Sequence, residues 1–233
     1  MGNANKPRVS VLIPCYNAAA FLGEAIESVL QQTFQDFEIV VVDDGSTDNS
    51  AAVAKAYPRV RCICKGHSGI SATRNAAIAE AKGEFVAFLD ADDLWAPEKL
   101  EKQLAYLDAH PQCDLVHALA QNFFDGPEET MTQRQKQLME ANLENYMAAS
   151  CIRRRLFERI GNFREDLAVG EDTHWIARLR AAGVDMGHCI AEELYFRRIH
   201  CSNISLSHEK VDRKDMMALL ADAIRQRNKG SKG

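Results

Sequence analysis

The first 110 residues alternate between two hydrophobic patterns. Short apolar runs predict buried strands at 9–14, 37–42, 60–64 and 84–89. Between them, apolar residues recur at helical spacing and predict helices at 20–32, 50–57, 69–82 and 97–109. Strands that alternate with helices are typical of an α/β fold, in which a mostly parallel sheet has helices on both faces.

The second half of the chain is less regular. Residues 125–145 are very polar, and we expect a loop followed by a surface helix there. Further along, the pattern predicts a strand at 147–152, helices at 153–160 and 172–182, and one or two strands within 186–196. An amphipathic helix is predicted at 211–227, and several basic residues follow it.

Composition narrows the class of protein. Of the 233 residues, 46% are hydrophobic and 26% are charged, and these ordinary values exclude a disordered chain. The 33 acidic residues outnumber the 28 Lys and Arg residues and give a net charge of -5. Because nucleic-acid binders neutralise phosphates with basic surfaces, we expect no nucleic-acid partner.

Targeting signals are sparse. The apolar stretches, such as 85–89, are much shorter than the roughly 20 residues that span a bilayer. The N-terminal segment lacks the apolar region of a signal peptide, and seven scattered cysteines without a CxxC pair are typical of reduced thiols. We therefore expect a cytoplasmic protein. Cys62 and Cys64 would share one strand face, where they are either packing residues or half of a metal site.

Polar or turn residues follow each of the four predicted N-terminal strands. These segments are 14–17, 43–46, 65–67 and 90–93. Since the carboxyl ends of parallel strands meet at one edge of the sheet, where such folds bind their ligands, we expect the four segments to line one crevice.

The acidic residues among them suggest specific chemistry. Asp90 and Asp92 lie two apart at the end of a buried strand, and their oxygens suit Mg²⁺ or Mn²⁺ held together with substrate phosphates. The alternative is a turn that precedes the next helix. Asp43 and Asp44 either form a turn or accept hydrogen bonds from a base imide and a ribose. Arg74, early in a predicted helix, either pairs with phosphate or lies on the surface.

Together, four segments resemble the family 2 glycosyltransferases, which have the GT-A fold with a Rossmann-like, mostly parallel central sheet. They are VSVLIPCYN at 9–17, VDDGSTD at 42–48, GHSGISATRNAAI at 66–78 and LDADD at 89–93. Residues 151–178 resemble the family's later segment, in which an acidic pair precedes a Trp-bearing helix. The resemblance implies a nucleotide-sugar-binding half at 1–110, an acceptor-binding and catalytic-base half of the same domain at 111–205, and a C-terminal helix with a basic tail at 206–233.

The resemblance also implies roles for individual residues. Around the nucleoside it implies Pro14, Tyr16, Asn17 and Asp43, with Asp44 nearby. Near the ribose and diphosphate it implies Arg74, Asn75 and Asp90. It also implies Asp92 and His200 as metal ligands and Asp172 as the catalytic base. For Asp172 the residues alone favour a first-turn acid stabilised by the helix dipole, and only the family resemblance reverses that preference.

The activity implied is transfer of a sugar, with inversion, from a nucleotide-sugar donor, UDP-linked in our prediction, to an acceptor hydroxyl. Mn²⁺ or Mg²⁺ would be the cofactor, and the acceptor would be a glycan, a lipid-linked sugar or a peptide. The alternative is a non-catalytic nucleotide-binding or scaffold protein of the same fold. A sugar-nucleotide pyrophosphorylase or a dehydrogenase fits less well, because no glycine-rich phosphate loop follows the first predicted strand.

The predicted C-terminal helix leaves three roles open. It could pack on its own domain, pair with a second subunit in a homodimer, or make peripheral contact with an anionic membrane through its basic residues.

Overall fold

The computed structural model describes residues 6–140, 147–167, 170–201 and 203. The predicted helix at 211–227 lies outside the described residues, and so do its three alternative roles. Among the described residues, no helix is both long enough and apolar enough to span a membrane.

In the first half, parallel strands are joined by helices, as predicted, and a short additional strand is antiparallel to a strand of the second half. The strands are β1 (Val9–Cys15), β2 (Phe37–Asp43), β3 (Val60–Cys64), β4 (Phe85–Phe88) and the short β5 (Leu94–Trp95), and the helices are α1 (Leu22–Leu30), α2 (Ser50–Lys55), α3 (Ile70–Glu80) and α4 (Lys99–Ala109). Strands β1 to β4 lie side by side in the order β3-β2-β1-β4. Cys15 pairs with Asp43, which pairs with Cys64, so these three strands end level with one another.

The second half extends the same sheet. Its strands are β6 (Leu115–Phe124), β7 (Cys151–Arg153) and β8 (Cys189–Ile199), and its helices are α5 (Gln133–Met139), α6 (Arg155–Ile160) and α7 (Glu171–Ala181). The full order is β3-β2-β1-β4-β7-β6-β8-β5. Strand β7 is antiparallel to both of its neighbours, β8 runs parallel to β6, and the short β5 is antiparallel to β8. The mostly parallel α/β sheet predicted from the sequence is therefore confirmed.

The strand region predicted within 186–196 is confirmed as a single strand at 189–199. The strand predicted at 147–152 is wrong in its first half. Residues 147–149 form a 3₁₀ turn, and the strand itself is confined to 151–153. The ten-residue strand β6 was not predicted. Its first four residues are buried and the other six are exposed or partly buried, so its sequence has no regular alternation of hydrophobic and polar positions.

Hydrophobic side chains cover both faces of the sheet. Helices α1 and α4 pack on one face of the sheet, in a cluster that includes Leu22, Leu100 and Tyr195. Helices α3, α6 and α7 pack on the other face, in a cluster that includes Phe88 and Trp175. Because β1 is buried along its whole length, it has a continuous apolar sequence without alternation. This core fixes the strand ends from which the candidate site is built.

Candidate functional site

The turns after β1 and β2 are joined into one unit. Asn17 has a positive φ of 50°, its backbone N–H donates to Ser46 Oγ at 2.9 Å, and its side-chain oxygen accepts from the Thr47 N–H at 2.8 Å. Asp48 in turn accepts from the Ala19 N–H at 3.0 Å. Pro14 is buried within β1 opposite Val42. The predicted nucleoside residues of the two strand ends are thus brought together.

Asp43 and Asp44 have opposite surroundings although they are adjacent. Both are almost fully buried. Asp43 Oδ2 accepts a hydrogen bond from the Ser46 N–H at 3.3 Å, whereas Asp43 Oδ1 has no hydrogen-bond partner among the described residues. An unpaired buried carboxylate oxygen carries a desolvation penalty that a ligand donor would remove. Asp43 therefore has the spare acceptor that recognition of a base imide requires.

Asp44 is instead occupied by its own loop. Its carboxylate accepts from Lys65 Nζ at 2.6 Å, from the Ser68 N–H at 3.0 Å and from the Gly69 N–H at 2.9 Å. Burial alone would raise the pKa of Asp44, but the hydrogen bonds from Lys65, Gly69 and Ser68 outweigh it and lower the pKa. Asp44 therefore shapes the loop after β3 and has less capacity for a ligand than Asp43.

An exposed aromatic ring lies at the end of β1. Tyr16 is 45% exposed and stacks against the His67 ring with centroids 4.3 Å apart. His67 Nδ1 lies 2.9 Å from Asp44 Oδ2. Gly45 permits this approach, because a Cβ there would lie 2.9 Å from the His67 backbone nitrogen and its φ is 72°. The remaining face of Tyr16 is available for a flat ligand.

Arg74 connects the acidic end of β4 with the start of α7. It is buried, its Nη1 lies 2.5 Å from Glu171 Oε1, and its Nη2 lies 3.1 Å from Asp90 Oδ1. Burial raises the pKa of Glu171, while the positive charge of Arg74 opposes the rise. Since Asp172 follows Glu171, this pair of contacts holds the predicted base close to the predicted metal-binding strand end.

Asn75 has a different environment from its predicted one. Its amide nitrogen donates to the Phe163 carbonyl at 2.9 Å and to Glu165 at 2.8 Å, and its oxygen accepts from the Phe163 N–H at 3.0 Å. The side chain thus fastens the segment before α7 to α3. Support of a ribose-diphosphate by Asn75 stays a prediction, and it would require these bonds to rearrange.

Asp92 and His200 meet across the site. His200 Nε2 lies 3.0 Å from Asp92 Oδ2, and the Asn203 amide donates to the same oxygen at 3.3 Å. The His200 ring is buried, with its centroid 4.2 Å from that of Phe21. A carboxylate oxygen and an imidazole nitrogen at this separation are two potential ligands of one divalent cation.

Asp93 and Arg198 support that pair from behind. Asp93 accepts from the Tyr195 hydroxyl at 2.6 Å and from the Arg198 N–H at 2.8 Å. Burial, reinforced by the charges of Asp92 and Asp90, raises the pKa of Asp93 well above its usual range. The Arg198 guanidinium donates to the Asp92 carbonyl at 2.9 Å and pairs with Glu24 at 2.5 Å.

Asp172 lies in the first turn of α7, which begins after Gly170 with a φ of 77°. Its carboxylate is half-buried, and Oδ1 accepts from the Thr173 N–H at 2.6 Å. The carboxylate thus lies beside the positive end of the helix dipole. Its half-buried position leaves it open to an acceptor hydroxyl, as a general base requires.

Several supporting residues of the site carry little signal in the sequence. Tyr195, Arg198 and Asn203 lie in or just after β8, and no local pattern associates them with the end of β4. The only available signal was the polar segment 197–203 at the end of a predicted strand region. His67 lay within the recognised segment 66–78, but its stacking on Tyr16 depends on how β3 and β1 are placed.

The metal-binding prediction can be tested against the donor set. Among the described residues, no group of three or more His, Cys, Asp or Glu side chains could hold a metal ion. Asp92 and His200 would supply two ligands, and a site of one or two carboxylates completed by substrate phosphates is usual for Mg²⁺. The imidazole favours Mn²⁺ over Mg²⁺, because Mn²⁺ accepts nitrogen ligands more readily. The residues therefore fit a cation that binds together with a diphosphate.

These features define an α/β protein with acidic side chains gathered at one edge of a mostly parallel sheet, and comparison with known proteins identifies the family. The model of glycosyl transferase family 2 matches residues 10–180. An uncharacterized glycosyltransferase of Rickettsia typhi is 32% identical over 215 residues, which are 85% of this chain and 66% of that protein. The chain therefore belongs to glycosyl transferase family 2. It spans from 17% to 66% of the length of the curated relatives that it matches.

Solved structures show the same fold. The Staphylococcus aureus protein TarS, residues 1–349 in complex with UDP-GlcNAc, superposes with a TM-score of 0.73 at 22% identity, covering 95% of this chain and 69% of that chain. The mannosyltransferase PcManGT of Pyrobaculum calidifontis, in complex with GDP-Man and Mn²⁺, superposes with a TM-score of 0.63 at 20% identity, covering 99% and 77%. The expected GT-A fold is confirmed.

Proposed function

We propose that this chain transfers a sugar from a nucleotide-sugar donor, UDP-linked, to an acceptor hydroxyl with inversion at the anomeric carbon. Family membership and the fold support sugar transfer. The observation that carries the proposal is the pair of contacts made by Arg74, which ties Asp90 to Glu171 and so brings the start of α7 to the end of β4. A direct displacement with inversion needs the leaving-group site and the base in one crevice, on opposite faces of the anomeric carbon.

The nucleoside would bind at the ends of β1 and β2. Asp43 Oδ1 would accept the imide N–H of a uracil ring, because it is the buried acceptor that lacks a partner. The exposed face of Tyr16 would pack against the base. TarS binds UDP-GlcNAc and PcManGT binds GDP-Man, so both nucleotides occur on this fold. We prefer UDP because the single unpaired oxygen of Asp43 matches the single imide N–H of uracil, whereas guanine presents two adjacent donor groups.

The diphosphate would lie at the end of β4. Asp92 and His200 would hold Mn²⁺ or Mg²⁺, with Asp90 and Arg74 alongside. When bound, the cation neutralises negative charge on the departing phosphates. Arg198 fixes the backbone of Asp92 by donating to its carbonyl. Asp93 is fully occupied by Tyr195 and Arg198, so it supports the strand end without being a ligand.

Asp172 would take the proton of the acceptor hydroxyl. Its neighbour Glu171 is committed to Arg74, which leaves Asp172 as the acidic residue of this turn suited to proton transfer. As the hydroxyl oxygen forms its bond to the anomeric carbon, the bond to the diphosphate breaks on the opposite face. The acceptor chemistry stays open among glycans, lipid-linked sugars and peptides.

A donor panel tests the proposal. Purified chain is incubated with UDP-GlcNAc, UDP-glucose, UDP-galactose and GDP-mannose, each with Mn²⁺ or with EDTA, and nucleoside diphosphate release is measured. We expect slow, Mn²⁺-dependent release of UDP from one UDP-sugar. Release of GDP alone would overturn the nucleotide assignment. Tight UDP-sugar binding without turnover, even with a mixture of candidate acceptors, would favour the scaffold alternative.

A further inference from the structure

Cys62 and Cys64 form a pair of neighbouring thiols on the outermost strand of the sheet. Their sulfur atoms lie 4.0 Å apart on the same side of β3. Cys64 is exposed, whereas Cys62 is half-buried and packs against the core. In the described part of the chain, β3 has β2 on one side and no strand on the other. The pair is therefore reachable from solvent, and the proposed sugar transfer does not use it.

We propose that Cys62 and Cys64 are a modification site that closes to a disulfide when the protein meets an oxidised small-molecule disulfide such as glutathione disulfide. Residues two apart in a strand are separated by about 6.6 Å between Cα atoms. That distance is at the upper end of the range that disulfides tolerate. The bridge would be strained and hence easily reduced, which is typical of reversible disulfides.

The two thiols have unequal chemistry, which sets the order of steps. Burial, and then the neighbouring Cys64, raises the pKa of the Cys62 thiol to about 11. The exposed Cys64 thiolate attacks glutathione disulfide, forms a mixed disulfide and releases one glutathione. Cys62 then attacks the Cys64 sulfur and releases the second glutathione, which takes up the Cys62 proton. Two cysteine thiols are oxidised, and one disulfide is reduced to two thiols.

Closure would act on the candidate nucleoside site. Cys64 pairs with Asp43 in the β2–β3 register. The next residue, Lys65, donates its N–H to the Asp43 carbonyl at 3.0 Å and its Nζ to Asp44 at 2.6 Å. Shortening the span from 62 to 64 would pull on Lys65 and so disturb both carboxylates. The disulfide itself stands independently, and only this coupling rests on the proposed function.

Peptide mass analysis tests the disulfide directly. Arg61 and Lys65 flank the pair, so trypsin releases it as the tetrapeptide 62–65. After treatment with glutathione disulfide and alkylation of free thiols, we expect this peptide to be about 2 Da lighter than its reduced form, unalkylated and without bound glutathione. A Cys62→Ser variant should instead retain glutathione on Cys64. A Cys189→Ser variant, which removes an exposed cysteine elsewhere, should behave as wild type.

Calorimetry of UDP binding, with reduced and oxidised protein, tests the coupling. We expect about fivefold weaker binding in the oxidised form, restored by dithiothreitol, and faster hydrogen exchange in residues 65–69. A wild-type peptide that carries glutathione, or two alkylated cysteines, would overturn the disulfide. Equal UDP affinity would overturn the coupling. If UDP binds to neither form, the proposed function fails and the coupling fails with it. The peptide mass then still decides the disulfide, and the hydrogen exchange of 65–69 still shows whether the disulfide changes the loop after β3.

Discussion

The candidate site has one side whose residues are close in sequence and another whose residues are far apart. We call residues 14–19, 43–50 and 65–69 the Asp43 side, and residues 90–93, 171–172, 195–201 and 203 the Asp92 side. On the Asp43 side, Asn17 contacts Ser46 at a separation of 29 residues. On the Asp92 side, Asp92 meets His200 at a separation of 108 residues.

The two sides consequently depend on different parts of the fold. The Asp43 side needs only β1 to β3 in their parallel arrangement, which consecutive βα units provide. The Asp92 side also needs β8 to lie in its observed register beside β6, which includes irregularities near Leu119. Damage to the second half should therefore impair metal binding and turnover before it impairs nucleoside binding. The predictions below test this separation.

The largest effect is expected on the Asp92 side. Asp92→Asn removes the only carboxylate that contacts His200 within the described residues. Without a bound cation, the charge on the departing diphosphate is not neutralised, so we expect turnover to fall by about 10³-fold. UDP binding should also lose its dependence on Mn²⁺, which calorimetry with Mn²⁺ or with EDTA measures.

Asp108→Asn is the matched control, because Asp108 is exposed and pairs with Arg8, away from the strand ends that form the site. It should leave turnover and metal dependence as in wild type. Equally tight UDP binding by the wild-type chain in Mn²⁺ and in EDTA would contradict the metal assignment.

A separate effect is expected at the start of α7. Asp172→Asn should lower kcat by about 10²-fold, as loss of a general base usually does, and change donor affinity by less than about twofold. Initial rates and UDP calorimetry measure the two quantities. Asp166→Asn, an exposed aspartate that pairs with Arg164, is the control. Parallel loss of rate and affinity would make Asp172 a structural first-turn acid.

Sequence analysis recovered the Asp43 side better than the Asp92 side. The apolar runs of β1 to β4 predicted their strands, because strands buried on both faces have continuous hydrophobic sequences. The polar segments that follow them then identified Asp43 and Asp92 as strand-end residues. The proximity of these ends followed from the parallel arrangement alone.

The contacts of the Asp92 side could not be predicted from the apolar runs and the parallel strand arrangement. The bond from Tyr195 to Asp93 spans 102 residues, and it depends on the pairing of β5 with β8, in which Leu94 lies opposite Phe196. Sequence separation of that size leaves no local pattern. Arg74 shows the same limitation, because its helix position alone favoured a surface charge. Only the placement of α7 reveals its buried partner Glu171.

An effect confined to affinity is expected on the Asp43 side. Asp43→Asn replaces a carboxylate, whose Oδ1 is buried and unpaired, with an amide that presents one acceptor and one donor. We expect UDP to bind about tenfold more weakly, the usual cost of losing a charge-assisted hydrogen bond, while metal dependence persists. Asp36→Asn, exposed just before β2, is the control. Unchanged affinity would remove Asp43 from base recognition.

The smallest effect on activity is expected for Asp44, whose contribution is to stability. Folding lowers the pKa of Asp44, so the Asp44 carboxylate binds a proton more readily in the unfolded chain than in the folded protein. The ionised form therefore stabilises the fold at pH values above the unfolded pKa of about 3.9. Asp44→Asn should therefore cost about 1–3 kcal/mol in free energy of unfolding near pH 7. Because wild type loses the same contribution as Asp44 becomes protonated, the difference between the two proteins should shrink as the pH falls below about 4. Denaturant unfolding at pH 7, 5, 4 and 3 measures this difference in free energy, with Asp36→Asn as the control. A difference that stayed constant with pH would show that the ionised carboxylate is not what holds Lys65, Ser68 and Gly69.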